Sequence, residues 1–336
     1  MVFSPDRYNY MKYANLGKSS LKLPKLSLGL WHNFGEETPS AVSRSILHKA
    51  FDLGITHFDL ANNYGPQPGH AEAFLGSLLK KEFRAHRDEL LISSKAGYEM
   101  WPGPYGSGSS KKYITASCDQ SLKRLGLDYV DIFYSHRYDG ETPIEETADA
   151  LARLVDAGKA LYIGISSYNS ARTGEMVAEL EKRGVPLSIH QPSYSMLNRW
   201  IESDGLLDEL EKVGAGCIVF SPLAQGLLTP KYLDGKTKPT RGSFSDKILT
   251  EENLHNIREL NNIAEQRSQT LAQLALAWVL RDKRVTSALI GASSPEQVES
   301  SVKALDNLDF SSDELAIIDK YAKDGHLNMW AASSNK

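Results

Sequence analysis

The chain has 336 residues, 41% hydrophobic and 24% charged, a composition that supports a sizeable core and an ordinary globular fold. Its formal net charge of −4 lacks the basic excess that nucleic-acid binding or attraction to an acidic membrane requires. Cys118 and Cys217 form no close pair, no cationic-then-apolar leader opens the chain, and the most apolar run, 271–280, is too short to span a bilayer; a reduced cytoplasmic protein without a metal centre is expected.

The whole chain reads as one domain, with 1–10 and 326–336 expected to be peripheral tails. Residues 11–23 alternate around Gly17-Lys18-Ser19-Ser20, which predicts an N-terminal β-hairpin placed to plug the bottom of a barrel. A phosphate loop would need an upstream glycine that is absent here. Strand-like runs follow at 25–30, 56–60, 90–95, 129–136, 160–166, 187–191, 217–221 and 286–290. Amphipathic segments at helical spacing occupy 40–53, 71–83, 110–125, 143–157, 171–182, 206–213 and, in two pieces, 254–281. Gly54, Gly126, Gly158 and Gly184 stand where helices should end. This alternation predicts an α/β fold, a (β/α)8 TIM barrel, with a doubly wound sheet as the competing arrangement. Two long irregular stretches, 101–109 and 225–253, follow strands; they are expected to rise over the C-terminal face as lids or binding loops, with disorder as the alternative.

That face collects chemistry. The run from His57 to Leu60 ends a strand around Asp59, and Tyr64 follows five positions later. The run ending at Lys95 and the run ending at His136 open on the same side. Tyrosine, with an unperturbed pKa of about 10, is a poor acid at neutral pH. A role for Tyr64 as proton donor therefore calls for a cation, Lys95, to favour the phenolate and lower its pKa, and for Asp59 to hold that cation in place. His136 would donate a hydrogen bond to the developing oxyanion. Each residue alone has an ordinary packing or surface use; four at strand ends make a constellation.

These residues, with Gly164-Ile165-Ser166-Ser167, Gln191-Pro192-Ser193-Tyr194 and Ser221-Pro222-Leu223-Ala224-Gln225-Gly226, resemble the aldo-keto reductase superfamily over about residues 12–325. More narrowly, Leu30-Trp31-His32-Asn33-Phe34, Asn62-Asn63-Tyr64-Gly65-Pro66 and Leu197-Asn198-Arg199-Trp200 resemble the bacterial L-glyceraldehyde 3-phosphate reductases, which are related to potassium-channel β subunits. The resemblance implies a barrel that binds extended NADPH and reversibly reduces small aldehydes or ketones, such as L-glyceraldehyde 3-phosphate or methylglyoxal, with Tyr64 as general acid. It also implies a possible homo-oligomer, a tetramer or octamer.

No G-x-G-x-x-G follows a strand, which argues against a Rossmann dinucleotide site. By the resemblance, Ser166 and Gln191 match positions that hold the nicotinamide carboxamide. Ser167 stands where many relatives have asparagine. Phe220 matches the aromatic that stacks on the nicotinamide, and Ser221, Leu223 and Gly226 match pyrophosphate contacts. Trp31, Asp59 and Gly291 belong to the same cofactor set. Ser294, Pro295 and Gln297 predict a helix start with a capping box, whose free N–H groups suit a phosphate. Ser293 and Gln297 are thus candidates for the adenosine 2′-phosphate, with Ser301 beside them, although an ordinary cap reads equally well. Relatives often place a basic residue here, and this chain has none between Gly291 and Val302.

For the substrate, Trp31, Trp101, Tyr105 and Trp200 offer aromatic walls or, equally, a subunit contact; Tyr64 and His136 complete the pocket. Arg137 and Arg199 suit either a substrate phosphate or structural ion pairs. Lys231, Lys236, Lys238 and Arg241 form a basic patch, solvated or clasping the cofactor phosphates. Two other classes compete: a Schiff-base aldolase with Lys95 as nucleophile, and a nucleotide-sensing binding subunit with little turnover. A metal-dependent hydrolase lacks its H-x-H or H-E-x-x-H cluster.

Overall fold

The computed structural model describes residues 3–235, 237, 249–325 and 327–334. Strands β1 (Tyr13–Asn15) and β2 (Lys22–Pro24) pair antiparallel, with Ala14 opposite Leu23. Then come β3 (Leu26–Gly29), β4 (His57–Asp59), β5 (Leu91–Ala96), β6 (Val130–Ser135), β7 (Ala160–Ser166), β8 (Leu187–Gln191), β9 (Gly216–Val219) and β10 (Val285–Ile290). All eight run parallel and close into a barrel in the order β10-β3-β4-β5-β6-β7-β8-β9. A closed ring leaves no open switch point between two half-sheets, which rules out the doubly wound arrangement.

The helices are α1 (Ser40–Asp52), α2 (His70–Lys81), α3 (Lys111–Leu125), α4 (Ile144–Asp156), α5 (Ser170–Glu181), α6 (Trp200–Ser203), α7 (Leu206–Val213), α8 (Glu251–Gln266), α9 (Leu271–Leu280), α10 (Pro295–Val302), α11 (Ser312–Ile318) and α12 (Ala331–Ser334). The expected split of 254–281 falls where Ser268 takes φ +55°, and Thr270 with Gln273 closes a reciprocal capping box that starts α9. The box expected at α10 does not close. Ser294 is the N-cap, but its side chain makes no cap bond, and Gln297 reaches past it to accept from the Ser293 N–H at 2.8 Å and hydroxyl at 3.1 Å. Short α6, α11 and α12 carry too few turns to show a period and were not anticipated.

Side chains alternate along each strand between the helical layer and the barrel interior. Inside, Ile132, Tyr134, Ile189, Ile218 and Leu289 form a small apolar cluster, completed from below by Leu16 and Leu23 of the hairpin. The hairpin therefore plugs the barrel as expected. It seats closely: Gly17, at φ +55°, would bring a Cβ within 2.2 Å of the Gly214 carbonyl oxygen. The terminal segments expected at the periphery also make specific contacts. Phe3 stacks on Phe83 and meets Phe51 edge-on, and Trp330 meets Phe220 edge-on at 4.6 Å.

The interior has no slack at β7. A Cβ on Gly164 of β7 would lie 2.4 Å from the Tyr134 ring and 2.8 Å from Ile189 Cγ2. Overpacking of this kind costs about 1–3 kcal/mol. Gly164→Ala should accordingly lower the urea midpoint by that equivalent without changing the slope of the transition; an unchanged midpoint would mean the ring has room to move.

Candidate active site

The upper interior is polar where β3, β4, β5 and β10 meet. The β4–β5 register sets Asp59 opposite Ser93, so Lys95, two residues on, emerges above the carboxylate. Asp59 and Lys95 are both fully buried. Lys95 Nζ donates to Asp59 Oδ2 and, at 2.8 Å, to the Leu60 carbonyl. Asp59 Oδ1 accepts from Ser93 Oγ at 2.7 Å and from Gln191 Nε2 at 3.2 Å. A buried carboxylate and ammonium are each costly alone, and the pair becomes tolerable because its remaining lone pairs find donors.

Tyr64 reaches this pair from the loop after β4. Asn62 anchors that loop, its backbone N–H donating to the Lys95 carbonyl at 2.9 Å and its amide to the Tyr113 hydroxyl of α3 at 3.0 Å. Gly65 turns the chain away immediately after Tyr64 with φ +97°. Lys95 Nζ lies 4.9 Å from the centre of the Tyr64 ring, and the His136 ring lies 5.7 Å from it. The four residues are thus assembled at one mouth of the barrel.

Their protonation follows from burial. Burial carries the Tyr64 phenol well above the ordinary tyrosine range, with the charge of Asp59 adding to it. The lowering anticipated from Lys95 is outweighed, and Tyr64 holds its proton at neutral pH. Burial pulls Lys95 down, opposed by the attraction and hydrogen bond of Asp59. His136 is driven well below the usual imidazole range by burial, then by Lys95 and Arg137, and is neutral; its Nδ1 is buried without a hydrogen-bond partner. The arrangement presents a protonated phenol and a neutral imidazole to one point, a donor set suited to a carbonyl oxygen.

Of the cofactor candidates, Ser166 and Gln191 are buried beside this mouth and Ser221 borders a pocket. Ser166 Oγ donates to the Gln191 carbonyl at 2.8 Å, and Gln191 is tied to Asp59. Ser221, Ala224, Gln225, Asn198 and Ser195 border a pocket closed from above by Leu327, Met329 and Trp330. Ser167, Ser221, Ala224 and Gln225 all have positive φ, leaving Ser268 as the only other non-glycine residue so strained among the described residues. Such strain persists only where the surrounding structure holds the backbone in place. At the far end, the N-terminus of α10 is exposed, Gly291 is open, Ser293 and Gln297 bond each other, and Ser301 Oγ is spent on the Gln297 carbonyl.

Trp31 is the substrate-wall candidate that meets the mouth, 5.9 Å from Tyr64. Trp101 instead packs on Tyr113, Tyr105 is exposed under Lys112, and Trp200 donates to the Ser193 carbonyl. Arg199 is consumed by Glu202 and Asp319, whereas Arg137 donates to the Gly97 carbonyl at 3.0 Å and lies over Tyr98. Of the basic patch, Lys231 stands over Tyr232, and Lys236, Lys238 and Arg241 lie outside the described residues. Sequence reasoning missed Tyr98, edge-on to His136 at 4.7 Å, and the tail residue Trp330. An aromatic three places after Lys95 was the available signal for the first; nothing local marks the second. No group of three or more metal-capable side chains occurs among the described residues, and none of their helices is long and apolar enough to cross a membrane.

Comparison with known proteins agrees with this geometry. The model of the Aldo/keto reductase family matches residues 25–323. The chain is 60% identical to L-glyceraldehyde 3-phosphate reductase of Escherichia coli K12, covering 99% of each chain. It is 36% identical to a probable voltage-gated potassium channel subunit beta of Arabidopsis thaliana, over 88% of this chain and 92% of that one. A match along nearly the whole barrel, together with an assembled phenol, ammonium, carboxylate and imidazole, establishes that the chain belongs to the aldo/keto reductase family and is an oxidoreductase.

Proposed function

We propose that the protein reduces small aldehydes, L-glyceraldehyde 3-phosphate or methylglyoxal among them, with NADPH, using Tyr64 as general acid. The observation that carries this reading is the buried Asp59–Lys95 pair set beneath a protonated Tyr64 and a neutral His136. The reduced nicotinamide, when bound, supplies a hydride to the carbonyl carbon. Tyr64 gives its phenolic proton to the carbonyl oxygen, so that the carbonyl gains two electrons and one proton beyond the hydride's own nucleus. Lys95 stabilises the phenolate left behind, and Asp59 keeps that ammonium charged and aimed. His136 fixes the oxygen beside the phenol through an N–H.

Ser166, Gln191, Phe220, Ser221, Leu223 and Gly226 would hold the cofactor from nicotinamide to pyrophosphate, with Trp31 over the mouth. Ser293 and Gln297 would receive the adenosine 2′-phosphate, with Gly291 and Ser301 beside them in the cofactor set. The strained turn at 221–226 and the exposed helix start support this placement. A phosphorylated substrate favours Arg137 over Arg199, because carboxylates already occupy Arg199. A cytoplasmic homo-oligomer, tetramer or octamer, accompanies this reading; the reduced, buried Cys118 and Cys217 are in keeping with the compartment.

Tyr64→Phe removes only the transferable proton. It should lower aldehyde reduction by about 10²–10⁴-fold while NADPH affinity, followed by tryptophan fluorescence, stays nearly unchanged. Turnover close to the parent enzyme's would remove Tyr64 from the role.

Cofactor selectivity should reside at the start of α10. Ser293→Asp places a carboxylate where a 2′-phosphate would sit, and like charges repel. NADPH should weaken by about tenfold or more, the equivalent of 1.4 kcal/mol, with NADH little affected. Equal weakening of both, or of neither, would move the 2′-phosphate elsewhere.

A further inference from the structure

Beneath the Asp59–Lys95 pair runs a line of polar side chains that no step of the reaction has used. Ser287, Ser27, His57 and Ser93 are all fully buried inside the barrel. Ser287 Oγ and Ser27 Oγ are 2.8 Å apart, Ser27 Oγ lies 2.9 Å from His57 Nδ1, and His57 Nε2 lies 2.9 Å from Ser93 Oγ. Ser93 Oγ ends the line on Asp59 at 2.7 Å.

The direction of this line is fixed at its end. A hydroxyl has one proton, and an ionised carboxylate can only accept. Ser93 therefore gives its proton to Asp59 and must accept from His57 Nε2. Burial brings the pKa of His57 down to about 4, so the imidazole is neutral and has a single N–H. With that proton on Nε2, the bare Nδ1 accepts from Ser27, and Ser27 in turn accepts from Ser287. All four hydrogen bonds point toward the carboxylate, and aligned bonds in a low-dielectric interior polarise one another.

We propose that His57, acting through Ser93, is a positioning residue for the reaction: it holds the Asp59 carboxylate in the orientation that keeps Lys95 charged beneath Tyr64. The inference rests on the reductase reading of Tyr64, Lys95 and Asp59, and extends it to two residues that touch neither substrate nor cofactor. It explains why a histidine and three serines occupy the interior of β10, β3, β4 and β5, whereas β6, β8 and β9 contribute Ile132, Ile189 and Ile218. Apolar residues there would fill the space and leave Asp59 with one donor fewer.

The charged groups that act on His57 are Asp59 of β4 and Lys95 of β5, and around that pair stand Tyr134 of β6, His136 just beyond it, Glu72 of α2 and Tyr64, with Tyr98 acting on Tyr64. Glu72 is itself engaged by Arg124 and Ser94. The group whose titration should report the change is Tyr64, which must be a phenolate to accept the proton in alcohol oxidation.

The test combines kinetics with a measurement that needs no turnover. In the full-length enzyme, Ser93→Ala should lower kcat by about 10- to 100-fold, matching the 1.5–3 kcal/mol of a hydrogen bond to a charged group. KM should stay within about twofold, because Ser93 touches neither substrate nor cofactor and its loss acts on the chemical step. The ascending limb of alcohol oxidation should move up by about one pH unit, since a less firmly held ammonium favours phenolate less. Ser93→Thr, which keeps the hydroxyl, should restore both. His57→Leu should follow Ser93→Ala, and His57→Gln, whose amide can still donate, should stay near the parent. Independently, nitrogen-15 NMR of histidine-labelled protein should show His57 protonated on Nε2 with a bare Nδ1 from pH 5 to 8. Parent-like kcat and pH limb in Ser93→Ala, no rescue by threonine, or the opposite tautomer at His57 would each overturn the inference. Absence of any carbonyl-dependent turnover in the parent would instead defeat the reductase reading, while the tautomer would still decide the direction of the line.

Discussion

A charge pair inside the barrel is the constraint on which the rest of the site depends. Asp59 and Lys95 are fully buried, and neither ion survives there without the other. Their meeting is a consequence of register: parallel pairing of β4 with β5 sets Asp59 opposite Ser93, and the two-residue repeat of a strand lifts Lys95 onto the same interior face one layer higher. A one-residue slip would send Lys95 under the helices and leave the carboxylate uncompensated. The geometry of Tyr64 follows, because Asn62, bonded to the Lys95 carbonyl, brings the β4 loop back across the end of β5.

The same pair decides between reaction classes. A Schiff-base aldolase needs a lysine whose nitrogen can approach a carbonyl and lose its proton there. Lys95 Nζ is instead fully buried and committed to Asp59 and to the Leu60 carbonyl. What faces the mouth is the Tyr64 phenol with the imidazole beside it, an arrangement that suits the proposed action of the lysine through the tyrosine. Barrel architecture alone would not discriminate, since the same scaffold hosts unrelated chemistries; the placement of one ammonium does.

Much of the barrel was legible because its signals are local and repeated. The β-branched runs fall on strands β3 to β10 within a few residues, and Gly54, Gly126, Gly158 and Gly184 all take the positive φ expected after a helix. The assembly of Asp59, Tyr64, Lys95 and His136 was legible for a related reason, since Asp59, Lys95 and His136 sit at the C-terminal ends of strands and Tyr64 lies in the short loop that follows one of them. Less was visible where a role depends on contacts distant in sequence. Trp330 meets Phe220 only because the tail returns over the barrel, and Ser27 and Ser287 meet only because the last strand closes onto the first. Burial also reversed one expectation: proximity suggested that Lys95 would lower Tyr64, whereas desolvation of the phenol is the larger effect.

The strained backbone shows how such a site can be both rigid and receptive. Ser167, Ser221, Ala224 and Gln225 hold positive φ although none is glycine, at a cost of about 1–3 kcal/mol each. That cost must be carried by surrounding structure. Ser167 is held by its N–H on the Gln191 carbonyl, Ala224 by its N–H on the Ser221 carbonyl, and Gln225 by its amide against Met329 of the tail. The restraint on Gln225 therefore comes from outside the barrel strands, from a segment that also packs Trp330 against Phe220. Catalytic groups fixed by buried ion pairs and a pocket shaped partly by the chain's own end are mechanically different parts. The tail's contacts fall on Gln225 and Phe220, whereas the meeting of Asp59 with Lys95 is set by the pairing of β4 with β5.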